Sequence, residues 1–391
     1  MKIPFINLVP QRARLKDRID EAVSRVMDSG IFILGPEVEL LEERLAAHND
    51  APYCVTCANG TDALILALLA LDIGPGDYVA CPSFTYVATA EAIQRVGAIP
   101  LFIDVDLQSF TLCPLSLKAV LEALPDTARL RAIIAVDLFG QLADYAAIKP
   151  IADKYGLSVI ADSAQAFGAK RGGRTAPQWA DIATTSFYPT KPLGAFGDGG
   201  AVFCASEPLA KRLATLRFHG RDTAGTHSLI GMNSRLDALQ AAILDVKLDY
   251  YADECAMRNQ IASQYSAALE CASVGRPNLC DTATSTWSQF TLKVPDAALL
   301  QERLVKRGIG TARYYETPVH VQPAYRKFEQ NVGSLKNTEA LAHQTISLPM
   351  SAYLTGDEIT YVTDAIMGEI ETINKTETWR PLQDSNLQPS D

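Results

Sequence analysis

Apolar and polar positions follow two rhythms along the first two thirds of the chain. The short runs PYCVTCA (52–58), YVACPS (78–83), PLFIDV (100–105), RAIIAVDLFG (131–140), LSVIADSA (157–164) and AVFCA (201–205) are rich in Val, Ile and Ala and read as strands. Between them TDALILALLALDIG, TAEAIQRVG and AAIKPIADKYG carry helical spacing, the last despite its proline. Apolar strands alternating with helices predict an α/β fold whose mainly parallel sheet is covered on both faces. A long helical pattern begins near Ser234, where Leu236, Leu239, Ile243 and Val246 form one stripe. It marks the passage into a second region, in which TWSQFTLKV reads as a strand and AALLQERLVKRGIG as a helix ended by glycine. The expected organisation is a large domain over 1–245 that includes the N-terminal segment, and a smaller α/β domain over 246–372. The end of the chain, KTETWRPLQDSNLQPSD, has few apolar residues, two prolines and no period, so 373–391 is expected to be a disordered tail.

Composition narrows the function classes. A formal net charge of −10 and the lack of any basic run argue against a nucleic-acid surface. The opening MKIPFINLVPQRARLKDR lacks the apolar core of a signal peptide, and no apolar run is long enough to span a bilayer. The expectation is a cytoplasmic protein without membrane attachment, whose eight scattered cysteines stay reduced. Cys54 and Cys57 form a C-x-x-C, but no second pair follows at zinc spacing and the five histidines show no H-x-x-x-H. No metal site is expected.

Candidate chemistry gathers around one lysine. Residues 186–200 read SFYPTKPLGAFGDGG, a stretch too rich in Gly and Pro for helix or strand, and Lys191 sits inside it. A lysine on a loop between two strands is positioned rather than merely solvated, and a desolvated lysine amine is a nucleophile towards carbonyls. In open parallel sheets, ligands lie beyond the carboxyl ends of the strands. There the sequence places Asn59-Gly60-Thr61-Asp62 at a helix start, which is either a phosphate cradle or an ordinary N-cap. It places Phe84-Thr85-Tyr86 after the second strand, as stacking aromatics or as plain packing. It places Asp162 after four apolar residues, as the partner of a pyridinium nitrogen or of a structural salt bridge. An amine, a phosphate cradle, an aromatic lid and a buried carboxylate together are what pyridoxal 5′-phosphate requires. Neither G-x-x-x-x-G-K-[ST] nor G-x-G-x-x-G is present.

The runs ANGTDAL (58–64), PSFTYVATAEAI (82–93), IADSAQAFGA (160–169), SFYPTKPLGAFGDGGAVF (186–203) and NSRLDALQAAIL (233–244) resemble the nucleotide-sugar aminotransferases of the DegT/DnrJ/EryC1/StrS family. The resemblance spans roughly residues 3 to 370 and implies the aspartate aminotransferase-like fold, fold type I, with a seven-stranded sheet in its large domain. It implies that Lys191 is the Schiff-base lysine, that Asp162 pairs with the pyridine nitrogen, and that Gln165 bonds the ring hydroxyl. It further implies that Gly60, Thr61 and Ser186 hold the phosphate, and that Tyr86 stacks on the ring, with Phe84 as substitute. Asn233 matches a residue that reaches the neighbouring subunit's phosphate, which implies a homodimer with shared sites.

Glutamate is the implied amino donor and a nucleotide-linked keto sugar the acceptor. TKPLGAFGDGGA and MNSRLDALQAAIL most resemble enzymes that aminate C3 of a UDP-linked 3-keto-N-acetylglucosaminuronic acid for O-antigen synthesis. C4 aminotransferases of dTDP- or UDP-sugars are the close alternative, and a non-catalytic regulatory protein on the same fold a remote one. A dehydratase of this fold would carry histidine in place of Lys191. Arg235 is a candidate grip for the sugar carboxylate or else a surface salt bridge. Tyr314 and Tyr315 are candidate substrate contacts, although Tyr314 and Glu316 replace the His and Pro that the family often carries.

Overall fold

The computed structural model describes residues 1–124, 129–270, 272, 274–331 and 333–377. Its central sheet has seven strands: β1 (Tyr53–Cys57), β2 (Tyr78–Pro82), β3 (Ile99–Ile103), β4 (Leu130–Val136), β5 (Ser158–Asp162), β6 (Ile182–Ser186) and β7 (Gly200–Cys204). They lie in the order β1-β7-β6-β5-β4-β2-β3. All pairs are parallel except those of β7, which runs antiparallel to both β1 and β6. The reason is local. A parallel return needs a crossover element, usually a helix, and the Gly- and Pro-rich segment between β6 and β7 contains none.

Both faces of the sheet are dry, which is why its strands lack polar alternation. On β5, Val159 and Ala161 join a core with helix α2 (Pro36–His48), while Ile160 joins the opposite core with helix α3 (Gly60–Ala70). Helix α1 (Lys16–Ser29) packs its apolar stripe on the first half of α6 (Ala238–Ala268), against Ala238, Ala242 and Val246. Helix α5 (Tyr145–Tyr155) adds to the first of these cores and α4 (Ala88–Arg95) to the second, and α5 keeps Pro150 inside it. Cys54 and Cys57 are buried in β1, where burial pushes both thiols up.

A third core follows, around the antiparallel pair β8 (Phe290–Lys293) and β9 (Thr345–Leu348), the second half of α6 and helix α7 (Gly356–Glu377). Four boundaries differ from the expected ones. Helix α6 starts at Ala238, not near Ser234: residues 233–236 lie outside any helix, and Ser234 Oγ instead accepts the Ala58 N–H at 3.1 Å. The helix is continuous to Ala268, so the 245/246 boundary falls inside it. Ile3 packs in the third core, bridged to Ile309, so the chain's first residues sit with the C-terminal region rather than the large one. At the other end α7 continues to Glu377 because Ile366, Ile370 and Ile373 extend its buried stripe past residue 372. The rest of the expected tail lies outside the described residues. No helix among the described residues is long and apolar enough to cross a membrane.

Candidate active site

Lys191 stands on a turn wound tightly enough to hold one shape. Its own N–H donates to Tyr188 O at 2.8 Å, the Ala195 N–H to Phe187 O at 2.7 Å, and the Phe187 N–H to Gly199 O at 2.8 Å. At Gly194 a side chain is excluded, because an added Cβ would lie 2.4 Å from Pro189 O. The amine faces a cavity of about 480 Å³ at the carboxyl ends of β1, β2, β5 and β6. That is where the sheet topology places a ligand.

Asp162 reaches the same cavity from the last position of β5. It is buried, with Oδ1 accepting from the Ala164 N–H and Oδ2 from Thr89 Oγ1, each at 3.2 Å. Burial pushes its carboxyl up, while the Ala164 N–H, the charge of Lys191 and the Thr89 hydroxyl oppose that shift. Burial pushes the Lys191 amine down and Asp162 pulls it back. The net direction favours a lysine that gives up its proton more readily than one in water.

The start of α3 forms the opposite wall. Asn59 Oδ1 accepts the Asp62 N–H at 2.8 Å and caps the helix, which leaves the first-turn N–H groups of Gly60 and Thr61 beside the cavity. Ser186, at the end of β6, lines it next to them. An N-terminus, a hydroxyl and a residue without a side chain are the elements of an anion cradle.

The aromatics divide. Tyr86 is 60% exposed at the cavity's edge. Phe84 is buried, edge-on to Phe139 and Tyr315, and is absent from the lining, so it cannot substitute as a stacking ring. Tyr314 and Tyr315 both line the cavity. Gln165, buried there, donates from Nε2 to Tyr315 Oη at 3.0 Å and accepts the Phe139 N–H at 2.8 Å. Glu316 pairs with Arg313 at 2.9 Å and is not part of the lining. Asn233 and Arg235 also do not line the cavity of their own chain. Asn233 is exposed, and the Arg235 guanidinium lies 5.0 Å from the Phe218 ring centroid, where a salt bridge was the plainer expectation.

Several residues here have no role assigned from the sequence. Thr89, on α4, holds Asp162, and Thr85 lies 3.3 Å from Thr89. Gln289, Thr190, Tyr188 and Asp198 also line the cavity. Asp137 follows β4 and Asp162 ends β5, and an apolar run closed by a carboxylate was the signal available for both. It is fully buried, accepts from Ser163 Oγ, the Ala143 N–H and Tyr145 Oη, and burial pushes it up to about 7. Through Ser163 it braces the turn that follows Asp162.

These groups suit a phosphorylated pyridine aldehyde. The helix start and Ser186 are placed for a phosphate, Asp162 for a ring cation, Tyr86 for a ring face, and Lys191 for a carbonyl.

The model of the DegT/DnrJ/EryC1/StrS aminotransferase family matches residues 13–367. A UDP-2-acetamido-2-deoxy-3-oxo-D-glucuronate aminotransferase of Pseudomonas aeruginosa is 43% identical over 366 residues, which is 93% of this chain and 99% of that protein. A dTDP-3-amino-3,4,6-trideoxy-alpha-D-glucose transaminase of Streptomyces venezuelae is 37% identical over 96% of this chain and 98% of its own length. Among solved structures, a DegT DnrJ EryC1 StrS aminotransferase from Brucella abortus superposes with a TM-score of 0.91 at 40% identity, covering 94% of this chain and 99% of that one.

Proposed function

Because this chain belongs to the DegT/DnrJ/EryC1/StrS aminotransferase family, we propose that it moves the amino group of glutamate to C3 of a UDP-linked 3-keto-N-acetylhexosaminuronic acid. It is a pyridoxal 5′-phosphate-dependent sugar aminotransferase of fold type I, acting on nucleotide-linked keto sugars. The observation that carries the chemistry is the convergence of Lys191 and Asp162 on one cavity beside the start of α3.

Bound pyridoxal 5′-phosphate supplies a carbonyl that takes up and gives back the amino group, and a ring that stores the electron pair of the broken C–H bond. Gly60, Thr61 and Ser186 would hold the phosphate, Tyr86 would cover the ring, Gln165 would meet its polar edge, and Asp162 would keep its negative charge against the ring nitrogen. Lys191 Nζ is the amine that would hold the carbonyl carbon of the resting cofactor. It then acts as general base, taking the proton from the donor's α-carbon, and later as general acid, delivering one to the sugar carbon that receives nitrogen. The donor leaves as 2-oxoglutarate and the ketone as an amine, so atoms and protons balance. The depressed affinity of the amine for its proton suits this double role.

The acceptor's anionic groups need more positive charge than this wall provides. Among the described residues lining the cavity, Lys191 is the one cation, beside the carboxylates of Asp162 and Asp198. The missing charge comes from a second copy. Asn233 and Arg235 lie outside their own cavity, next to an exposed apolar run, Ile31, Phe32 and Ile33, whose Phe32 carbonyl accepts the Ala238 N–H. Docked in a homodimer, this edge brings Asn233 to the partner's phosphate and Arg235 to the sugar carboxylate, where a guanidinium makes two parallel hydrogen bonds.

Amination at C4 of a dTDP- or UDP-linked sugar is the second reading: a relative named for a dTDP-linked sugar covers nearly the whole of this chain, although its amino group stands at C3. A half-reaction screen decides. Protein carrying the aminated cofactor is offered 3-keto and 4-keto sugar nucleotides, and the return of the cofactor's absorption is followed. Rapid return with the 3-keto uronic acid is expected; return with 4-keto sugars alone would establish the second reading. The reverse screen, of amino acids against the aldehyde form, identifies the donor.

A further inference from the structure

We propose that Lys247 is a positioning residue for the reaction: from α6 its ammonium holds the carbonyl of Gly194 and so fixes the turn that presents Lys191. This rests on the reading of Lys191 as the reacting amine. Lys247 is only 3% exposed, and among the described residues it makes no ion pair. What it does reach is the lysine turn, through the Gly194 carbonyl and the face of Phe196, whose centroid lies 5.1 Å from Nζ. Gln240 stands two helical turns earlier on the same face of α6, and its Oε1 accepts the Phe196 N–H at 2.9 Å. Two side chains of one helix stripe thus grip the segment from Gly194 to Phe196. That segment folds back onto Tyr188 and Pro189, so tightly that Gly194 has no room for a Cβ. Tyr188 in turn fixes the Lys191 N–H. Misplacement of the amine by a fraction of an ångström is enough to slow proton transfer.

A buried ammonium is an unusual way to support a loop, and its cost points to function. Burial pushes Lys247 down to about 8; Glu254 opposes that shift and Arg258 adds to it, both from α6 itself. The facing turn contributes the Gly194 carbonyl and the Phe196 ring, while Lys191 is turned into the cofactor cavity. The folded value lies below the roughly 10.4 of a free lysine, so between about 8 and 10.4 the unfolded chain binds more protons. Stability therefore rises with pH across that window, and below it the folded protein bears the full penalty. An apolar side chain of similar length would relieve it.

The experiment compares holoenzyme with Lys247→Met. The expected result has three parts. The variant's Tm at pH 7 rises by about 2–4 °C, a gain that shrinks towards pH 10. Its kcat falls about tenfold or more, with both KM values within about threefold. Amide hydrogen exchange accelerates about tenfold in peptides covering 186–197 and nowhere else. Lys247→Arg, which keeps a charged donor, should recover most of the lost kcat and exchange protection. An unchanged kcat in Lys247→Met overturns the proposal, as does a loss accompanied by a lower Tm and faster exchange throughout the chain. Should Lys247→Met fail to fold, the site is shown to be structural and the proposal falls unless Lys247→Gln folds with the local exchange signature. The underlying reading fails separately: if borohydride does not fix the cofactor to Lys191 in the wild type, that assignment is lost whatever Lys247 does.

Discussion

Gly60 and Ser186 meet so closely that a Cβ added to the glycine would lie 2.6 Å from the serine's Cβ. The contact joins the start of α3 to the end of β6, two segments more than a hundred residues apart in sequence. Because of it, the free N–H groups of the helix and the serine hydroxyl address one volume. Gly60→Ala should therefore act through geometry. Overpacking of this kind costs about 1–3 kcal/mol, and it would push the helix start away from β6. The expected outcome is a lower Tm together with a cofactor Kd raised at least tenfold, measured by absorbance titration. Ser186→Ala removes one donor without crowding, together with the acceptor of the Tyr188 N–H, and should raise the same Kd by a smaller factor, about 3–10-fold, with a smaller loss of Tm. Equal cofactor affinity in all three proteins would remove this wall from the phosphate site.

Lys191 should carry the cofactor covalently. The purified holoenzyme is expected to be yellow, and borohydride should fix the cofactor to the peptide that contains Lys191. Lys191→Ala should still bind the cofactor through the other groups but lose turnover by at least about a thousandfold, because both the nucleophile and the proton carrier are gone. Turnover near the wild-type value in that variant would take the lysine out of the mechanism.

Asp162 and Thr89 should separate in magnitude. Asp162→Asn keeps the shape of the side chain and loses the charge that opposes the ring nitrogen; each pKa unit of that preference is worth about 1.4 kcal/mol. Turnover should fall about a hundredfold or more while most of the cofactor is retained. Thr89→Val leaves the carboxylate in place and removes one of its two hydrogen-bond donors, a contact worth about 1.5–3 kcal/mol to a charged acceptor. Its loss should be about tenfold. Equal turnover for Asp162→Asn and wild type would mean that the carboxylate is only structural.

Much of this architecture was legible because buried parallel strands announce themselves. Runs such as RAIIAV and LSVIAD have no polar face, and the carboxylate that ends LSVIAD stands out against its apolar run. Lys191 was legible for a similar reason, as a charge inside a stretch that neither helix nor strand can use. Thr89 and Gln289 were not, because a threonine on a helix or a glutamine before a strand is ordinary in isolation. Only the folded chain brings Thr89 within 3.2 Å of Asp162 from 73 positions away. The start of α6 was misplaced for a physical reason too. Leu236 continues the apolar stripe in sequence, yet residues 233–236 stay out of the helix, with Ser234 bonded to Ala58 and Asn233 bridged to Phe218. Tertiary pairing overrode the local period. Phe84 and Tyr86 are neighbours of similar kind, and no local signal says which of them sinks into the core.

The shared site makes the sharpest prediction. Asn233 is exposed and absent from the lining of its own chain's cavity, whereas Lys191 lies within that cavity. If Asn233 serves the partner's phosphate, Lys191→Ala and Asn233→Ala damage a homodimer in different ways but leave every site defective. In a mixed dimer the defects redistribute. One site receives the Lys191→Ala chain's cavity and the other chain's altered residue 233, and so carries both defects. The other site has Lys191 from one chain and Asn233 from its partner, and is whole. Co-refolding the two inactive variants should therefore restore activity, approaching half the wild-type rate per dimer of the mixed kind. With differently tagged chains the mixed dimer can be isolated and assayed directly. If both residues served the cavity of their own chain, each site would keep one defect and mixing would restore nothing. Absence of activity in an isolated mixed dimer that has bound cofactor would overturn the exchange of residues between subunits.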